Sequence, residues 1–129
     1  MKQYKKILFF FAIVIILSNV PPFRDYFRVT VDERHYRYSN ANGSFTFYEF
    51  MSRNFNMMKY SHKVCLNQQS HLKDKQVYRL FAKNPFAFWR WSRYLFDERY
   101  KLPYKNWKEI EELRRKEHMK EIPACIVEF

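Results

Sequence analysis

His62, Cys65 and His71 lie close together in the chain, and imidazole and thiolate are both competent zinc ligands. Their spacing matches no standard zinc pattern and no fourth ligand accompanies them, so no metal site is expected. His35 and His118 stand alone, with no neighbouring nucleophile for them to activate. The carboxylate pairs Asp97/Glu98 and Glu111/Glu112 sit among lysines and arginines, where a solvated charged face is the expected role rather than general acid–base chemistry. The chain has one glycine, Gly43, so a phosphate-cradling glycine-rich loop cannot form and the familiar nucleotide-binding loops are excluded. No catalytic residue and no cofactor are therefore assigned.

Two cysteines, Cys65 and Cys125, are too far apart for a CxxC redox or zinc motif. In an oxidising compartment they could pair, and closing a loop of that length would stabilise the fold by about 4 kcal/mol in the chain-entropy picture. In a reducing one they would be two small core residues. Asn42-Gly43-Ser44 has the pattern of an N-glycosylation acceptor, which matters only in a eukaryotic secretory lumen.

The 129 residues carry 24 Lys and Arg against 13 Asp and Glu, a net charge of +11. Lys2, Lys5 and Lys6 precede the first apolar run and no acid lies before Asp25, so +11 less those three leaves +8 on the remainder. Such a surface favours anionic neighbours: lipid head groups, nucleic acid or an acidic protein. Fourteen Phe, ten Tyr and three Trp supply large buried area and amphipathic tips. With one glycine for turns and bulges, helix is expected to dominate.

The segment that should position everything else is the apolar run Ile7, Leu8, Phe9, Phe10, Phe11, Ala12, Ile13, Val14, Ile15, Ile16, Leu17. Eleven residues of helix rise only about 16 Å, less than the hydrocarbon core. Extended through Ser18 to Phe23 the run reaches the lower limit of a span, with Lys5 and Lys6 snorkelling at one end. A cleaved leader should end in small residues, whereas the best cut here follows Ser18 with Ile16 three residues before it. The expectation is an uncleaved signal anchor over 1–23 with a cytoplasmic N-terminus, followed by a basic, aromatic-rich domain over 24–129. The alternative is a secreted or periplasmic domain whose leader is removed and whose cysteines pair.

Within the second part, "FRVTV" alternates as a short strand, with a turn or bulge at Asp32 to Arg34 before "HYRY". Asn42-Gly43 is a strong turn signal, and Thr46 with Glu49 predicts a capping box opening a helix with Phe47, Phe50, Met51, Phe55, Met57 and Met58 on one face. "SHKVCLNQQ" reads as a connection, and a weaker helix is expected from Ser70 to about Lys83. Asn84-Pro85 should open the next helix, so apolar around its girth that it belongs at the centre of the fold or against lipid, with Arg93 and Asp97 paired at i,i+4. Asn106 should cap a final helix bearing a Trp107, Ile110, Leu113 stripe and the pairs Glu111–Arg115 and Glu112–Lys116. "CIVEF" is expected to pair with "FRVTV".

The fold class expected is thus mainly α: a membrane helix, then about four helices with short strands. Interleaved arginine and aromatics in "FWRWSRY" suit an interface, which makes Trp89, Arg90, Trp91, Arg93 and Trp107 interaction candidates. The expected function is that of a non-catalytic, single-span accessory or assembly subunit that docks on a larger membrane protein complex, with the lipid bilayer around its anchor. Nucleic acid is not the expected partner, because no RNA-binding or recognition-helix motif accompanies the arginines. A membrane-tethered binder of a polyanion or nucleic acid is the further alternative, and no small-molecule substrate is inferred.

Overall fold

Gly43 takes φ 70°, the left-handed conformation that a side chain disfavours, and makes the turn that the Asn-Gly pair predicts. The turn joins two strands, not a strand to a helix. Our structure of the protein, a computed structural model, describes residues 2–31, 35–50, 54–68, 75–116 and 125–126. Strand β1 is Tyr36–Asn40 and β2 is Phe45–Glu49, antiparallel with Tyr38 opposite Phe47 and Tyr36 opposite Glu49. Asn40 pins the turn: its Nδ2 donates to Ser44 Oγ at 2.6 Å and its Oδ1 accepts from the Phe45 amide at 3.1 Å.

The Thr46–Glu49 pair is therefore not a capping box. Alternation of Phe45, Phe47 and Glu49 drives the segment into the sheet, and the fully buried Glu49 is accommodated because its carboxyl accepts from Tyr38 Oη at 2.7 Å and from the Asn54 amide at 3.1 Å. The predicted apolar helix starts later, at Phe55, and runs to Gln68 as α3, through the stretch expected to be a connection. Its buried face is Phe55, Met58, Ser61 and Cys65, whereas Met57 and Phe50 are exposed. Met51 lies outside the described residues.

Val77–Arg79, expected in a helix, forms β3 on the other edge of β1, with Tyr38 opposite Arg79 and Asn40 opposite Val77; residues 70–74 are outside those described. Cys125–Ile126 forms β4, paired in parallel with Phe45–Thr46 rather than with "FRVTV". The sheet order is β3-β1-β2-β4. Chain 103–105 closes the β3 edge, the Arg79 amide donating to Pro103 O at 2.9 Å and the Lys105 amide to Arg79 O at 3.1 Å.

Helix α5 is Trp107–Lys116; its Trp107 stacks on Arg37, which alternation places on the opposite sheet face from Tyr38, the residue that packs on Phe55 of α3. Ile110 is completely buried there, and a Cβ placed on Gly43 would come within 3.0 Å of both Ile110 Cγ2 and Arg114 Cδ. Asn106 caps the helix as expected, its Oδ1 accepting from the Lys108 amide at 3.1 Å, and Lys116 pairs with Glu112 at 3.1 Å. These elements belong to one compact unit, Arg34–Ala82 with Lys101–Phe129.

The other unit is Met1–Glu33 with Lys83–Tyr100. Here α1 is Lys2–Ser18, α2 is Phe23–Thr30 and α4 is Trp91–Phe96, with 3₁₀ turns at Phe88–Arg90 and Glu98–Lys101. The expected strand "FRVTV" falls largely in α2, because Phe23, Tyr26, Phe27 and Thr30 also satisfy a helical period and Phe27 stacks on Trp89 with centroids 6.5 Å apart. Asn84 does accept from the Phe86 amide at 3.0 Å, but it makes a turn and not a helix start. Helix α4 is not central: Leu95 and Phe96 are 69% and 78% exposed.

Two expectations are corrected outright. The chain is mixed α/β, with five α-helices among the described residues and a sheet at the heart of one unit, not mainly α. Also, no helix among the described residues is long and apolar enough to cross a membrane. The 17 residues of α1 rise about 26 Å, the first of them lysine-bearing, against a hydrocarbon core of about 30 Å. The run does not extend to Phe23 as one helix: α1 ends at Ser18, where Ser18 Oγ and Asn19 Nδ2 both donate to Ile15 O, at 2.8 and 2.9 Å, and a separate helix starts at Phe23. Ile7, Leu8, Phe9, Phe10, Phe11, Ile13, Ile16 and Leu17 are all exposed, and Val14 and Ile15 half-buried.

Candidate functional site

The sheet register gathers residues that are distant in sequence. Arg37 stands directly opposite Tyr48, and Ser39 opposite Tyr78, so Arg37, Tyr48 and Tyr78 share the face that α5 covers. The Arg37 guanidinium lies 3.7 Å from the centroid of the Trp107 ring and 4.9 Å from that of Tyr48. Lys105 Nζ lies 5.0 Å from the Tyr78 centroid. A planar guanidinium between two aromatic faces is held in place by ring quadrupoles rather than by a carboxylate. Arg37 Nε is buried without a hydrogen-bond partner, and no acid among the described residues forms a salt bridge with Arg37, Lys105 or Arg114. The carboxylate on this side, Glu111, accepts from Trp107 Nε1 at 2.6 Å.

A second polar site lies in the unit that contains α1. A cleft of about 240 Å³ is lined by Arg24, Asp25, Ser92, Arg93, Phe96 and Asp97. Its cations have acidic partners: Arg93 and Arg99 both approach Asp97, at 3.7 and 3.1 Å, and Arg24 approaches Asp25 at 3.6 Å. The predicted Arg93–Asp97 pair is thus present, but Asp97 is mostly buried and not on a solvated face. Next to this site Asn19 ties the chain together, its Nδ2 donating to Phe88 O at 2.7 Å and its Oδ1 accepting from the Ser92 amide at 2.8 Å.

Of the interaction candidates, Arg90 and Arg93 are buried and Trp89 half-buried, while Trp91 is exposed with its Nε1 donating to Pro85 O at 2.9 Å. Trp107 is the one that belongs to the basic–aromatic face. Its partners Arg37, Tyr48, Tyr78 and Lys105 were missed, because only the strand register brings them together; the alternation in "HYRY" was the available signal.

The third feature is covalent. Cys65 on α3 and Cys125 on β4 form a disulfide, Cα atoms 6.0 Å apart, closing 60 residues of sequence separation. Cys65 is therefore no thiolate ligand, His62 packs its ring 5.0 Å from that of Phe45, and His71 is outside the described residues. No group of three or more His, Cys, Asp or Glu among the described residues could hold a metal ion. Comparison with protein-family models, curated proteins and solved structures finds no match for this chain.

Proposed function

We propose that the protein is a small, disulfide-stapled binding domain that works in an oxidising compartment, secreted or periplasmic, rather than the anchored accessory subunit that the apolar run suggested. The observation that carries this is the Cys65–Cys125 bridge. It ties α3, on one face of the sheet, to β4, which also pairs in parallel with β2 and donates from the Cys125 amide to Ser44 O at 2.8 Å. Structural disulfides persist where the surroundings are oxidising.

The order of Lys2, Lys5 and Lys6, an apolar helix and then Ser18 supports α1 acting as the export leader. Most of its apolar side chains are exposed, Val14 and Ile15 being half-buried, while Asn19 supplies the hydrogen bonds to 88–92. Removal after Ser18 would discard the oily surface and retain Asn19 and its two contacts. The test is to fractionate the native cells and sequence the N-terminus of the recovered chain. A chain outside the cytoplasm beginning near Asn19 supports the proposal; a cytoplasmic chain that keeps Lys5 to Leu17 refutes it.

A further inference from the structure

We infer that Asn42 is a glycosylation site, its Nδ2 taking one oligosaccharide from a lipid-linked diphosphate donor as the chain enters a eukaryotic secretory lumen. This rests on the oxidising compartment proposed above and narrows it.

Of the eight asparagines in the sequence, only Asn42 has serine or threonine two places on with a residue other than proline between. That acceptor triplet, Asn42-Gly43-Ser44, is also the tip of the β1–β2 hairpin, and an acceptor belongs on a surface turn because a glycan is bulky and polar. The side chain is oriented for attachment. Asn42 Oδ1 accepts from the Ser44 amide at 3.1 Å, an Asx-turn, while its Nδ2 has no hydrogen-bond partner among the described residues and is not buried. Substituting Nδ2 therefore breaks no hydrogen bond of the described fold. Asn40, two residues earlier, is the contrast: it is wholly buried and both ends of its carboxamide are engaged.

In the transfer, a bond forms between Asn42 Nδ2 and the anomeric carbon of the oligosaccharide. The bond from that carbon to the diphosphate oxygen breaks, its electron pair leaves with the lipid diphosphate, and one Nδ2 proton passes to the leaving group. The triplet is read through its hydroxyl as well as its amide. In the folded hairpin that hydroxyl is hidden, since Ser44 is 4% exposed and its Oγ accepts from Asn40 Nδ2 at 2.6 Å. Transfer therefore precedes closure of the tip, and the topology supplies the delay. An isolated hairpin is at best marginally stable. Ile110 and Arg114, which pack on Gly43, lie roughly 66 residues or more beyond Ser44, and Cys125 of β4 lies further still. At about 5–20 residues per second, Ile110 is made roughly 3–13 s after Ser44.

The full-length chain from its native source should be assayed for free thiols, then treated with peptide N-glycosidase in heavy-oxygen water and mapped by peptide mass. We expect aspartate carrying one heavy oxygen at position 42. Intact Asn42 overturns the inference, and so does aspartate with ordinary oxygen alone, which marks spontaneous deamidation of Asn-Gly. Bridged cysteines beside an unmodified Asn42 overturn the inference and leave the compartment standing; free thiols beside an unmodified Asn42 overturn both. A glycan at Asn42 with free thiols upholds the site and refutes the staple. Translated with endoplasmic-reticulum microsomes, the chain should gain one oligosaccharide, lost in Asn42→Gln and Ser44→Ala and kept in Ser44→Thr. Because the gain is read on the nascent chain, none of these variants has to fold. No gain in the parent, or a gain that survives Asn42→Gln, overturns the inference. Folded, oxidised chain offered to solubilised transferase with the same donor should accept none; transfer as fast as to reduced, unfolded chain overturns the order of events.

Discussion

The Tyr38 hydroxyl donates to Glu49 Oε2 at 2.7 Å, diagonally across the β1–β2 pair and wholly out of solvent. A buried carboxyl is tolerated only while its oxygens are satisfied. Tyr38→Phe should therefore cost about 1–3 kcal/mol in urea unfolding. Glu49→Ala should cost more, because the Asn54 amide loses its acceptor as well. A Tyr38→Phe protein as stable as the parent would show that the carboxyl is solvated.

Gly43 is the position where the backbone itself is demanding. Gly43→Ala meets both the positive φ and the close approach of Ile110 and Arg114. The expected loss is about 1–3 kcal/mol, read as a drop in thermal midpoint of several degrees. An unchanged midpoint would mean that α5 does not pack on the hairpin tip.

Helix α5 should show a sharp contrast between its two sides. Ile110→Ala removes a completely buried side chain and should cost about 2–5 kcal/mol. Glu112→Ala breaks an exposed i,i+4 pair and should cost a few tenths of a kcal/mol. Comparable losses for both would contradict the placement of the helix.

Much of the local chemistry was legible because it depends on near neighbours. Asn42-Gly43, the Asn106 cap, Arg93–Asp97 and Glu112–Lys116 need only a turn or a helical repeat to be recognised. The pairing of Cys65 with Cys125 was legible as one of two options, conditional on compartment. The sheet was not. Its second strand places an acid, Glu49, where alternation demands an apolar residue, and Thr46-x-x-Glu49 imitates a helix cap. Helix α3 hides for the opposite reason, since Ser61 and Cys65 occupy its buried stripe and weaken the apolar period. The span failed on length: Ser18 and Asn19 turn back onto Ile15 and end the helix before the run can be extended. The basic–aromatic face depends on residues from β1, β2, β3 and the approach to α5, so it appears only once register is known.

Asn19 offers a local test within its own unit. Asn19→Ala removes the acceptor of the Ser92 amide and the donor to Phe88 O. Hydrogen exchange at the Ser92 amide should accelerate about tenfold or more, while amides in β1 and β2 keep their protection. Uniform acceleration across the chain would instead indicate global destabilisation.

The state of the two cysteines tests the account most directly. Protein recovered from its native source should be denatured without reductant, exposed to a thiol-alkylating reagent and weighed intact. We expect no alkyl group added and a mass two protons below the fully reduced chain, with both thiols becoming reactive only after reduction. Two alkyl groups added before reduction would show that Cys65 and Cys125 are free in the cell, and would contradict the stapled domain and its oxidising compartment.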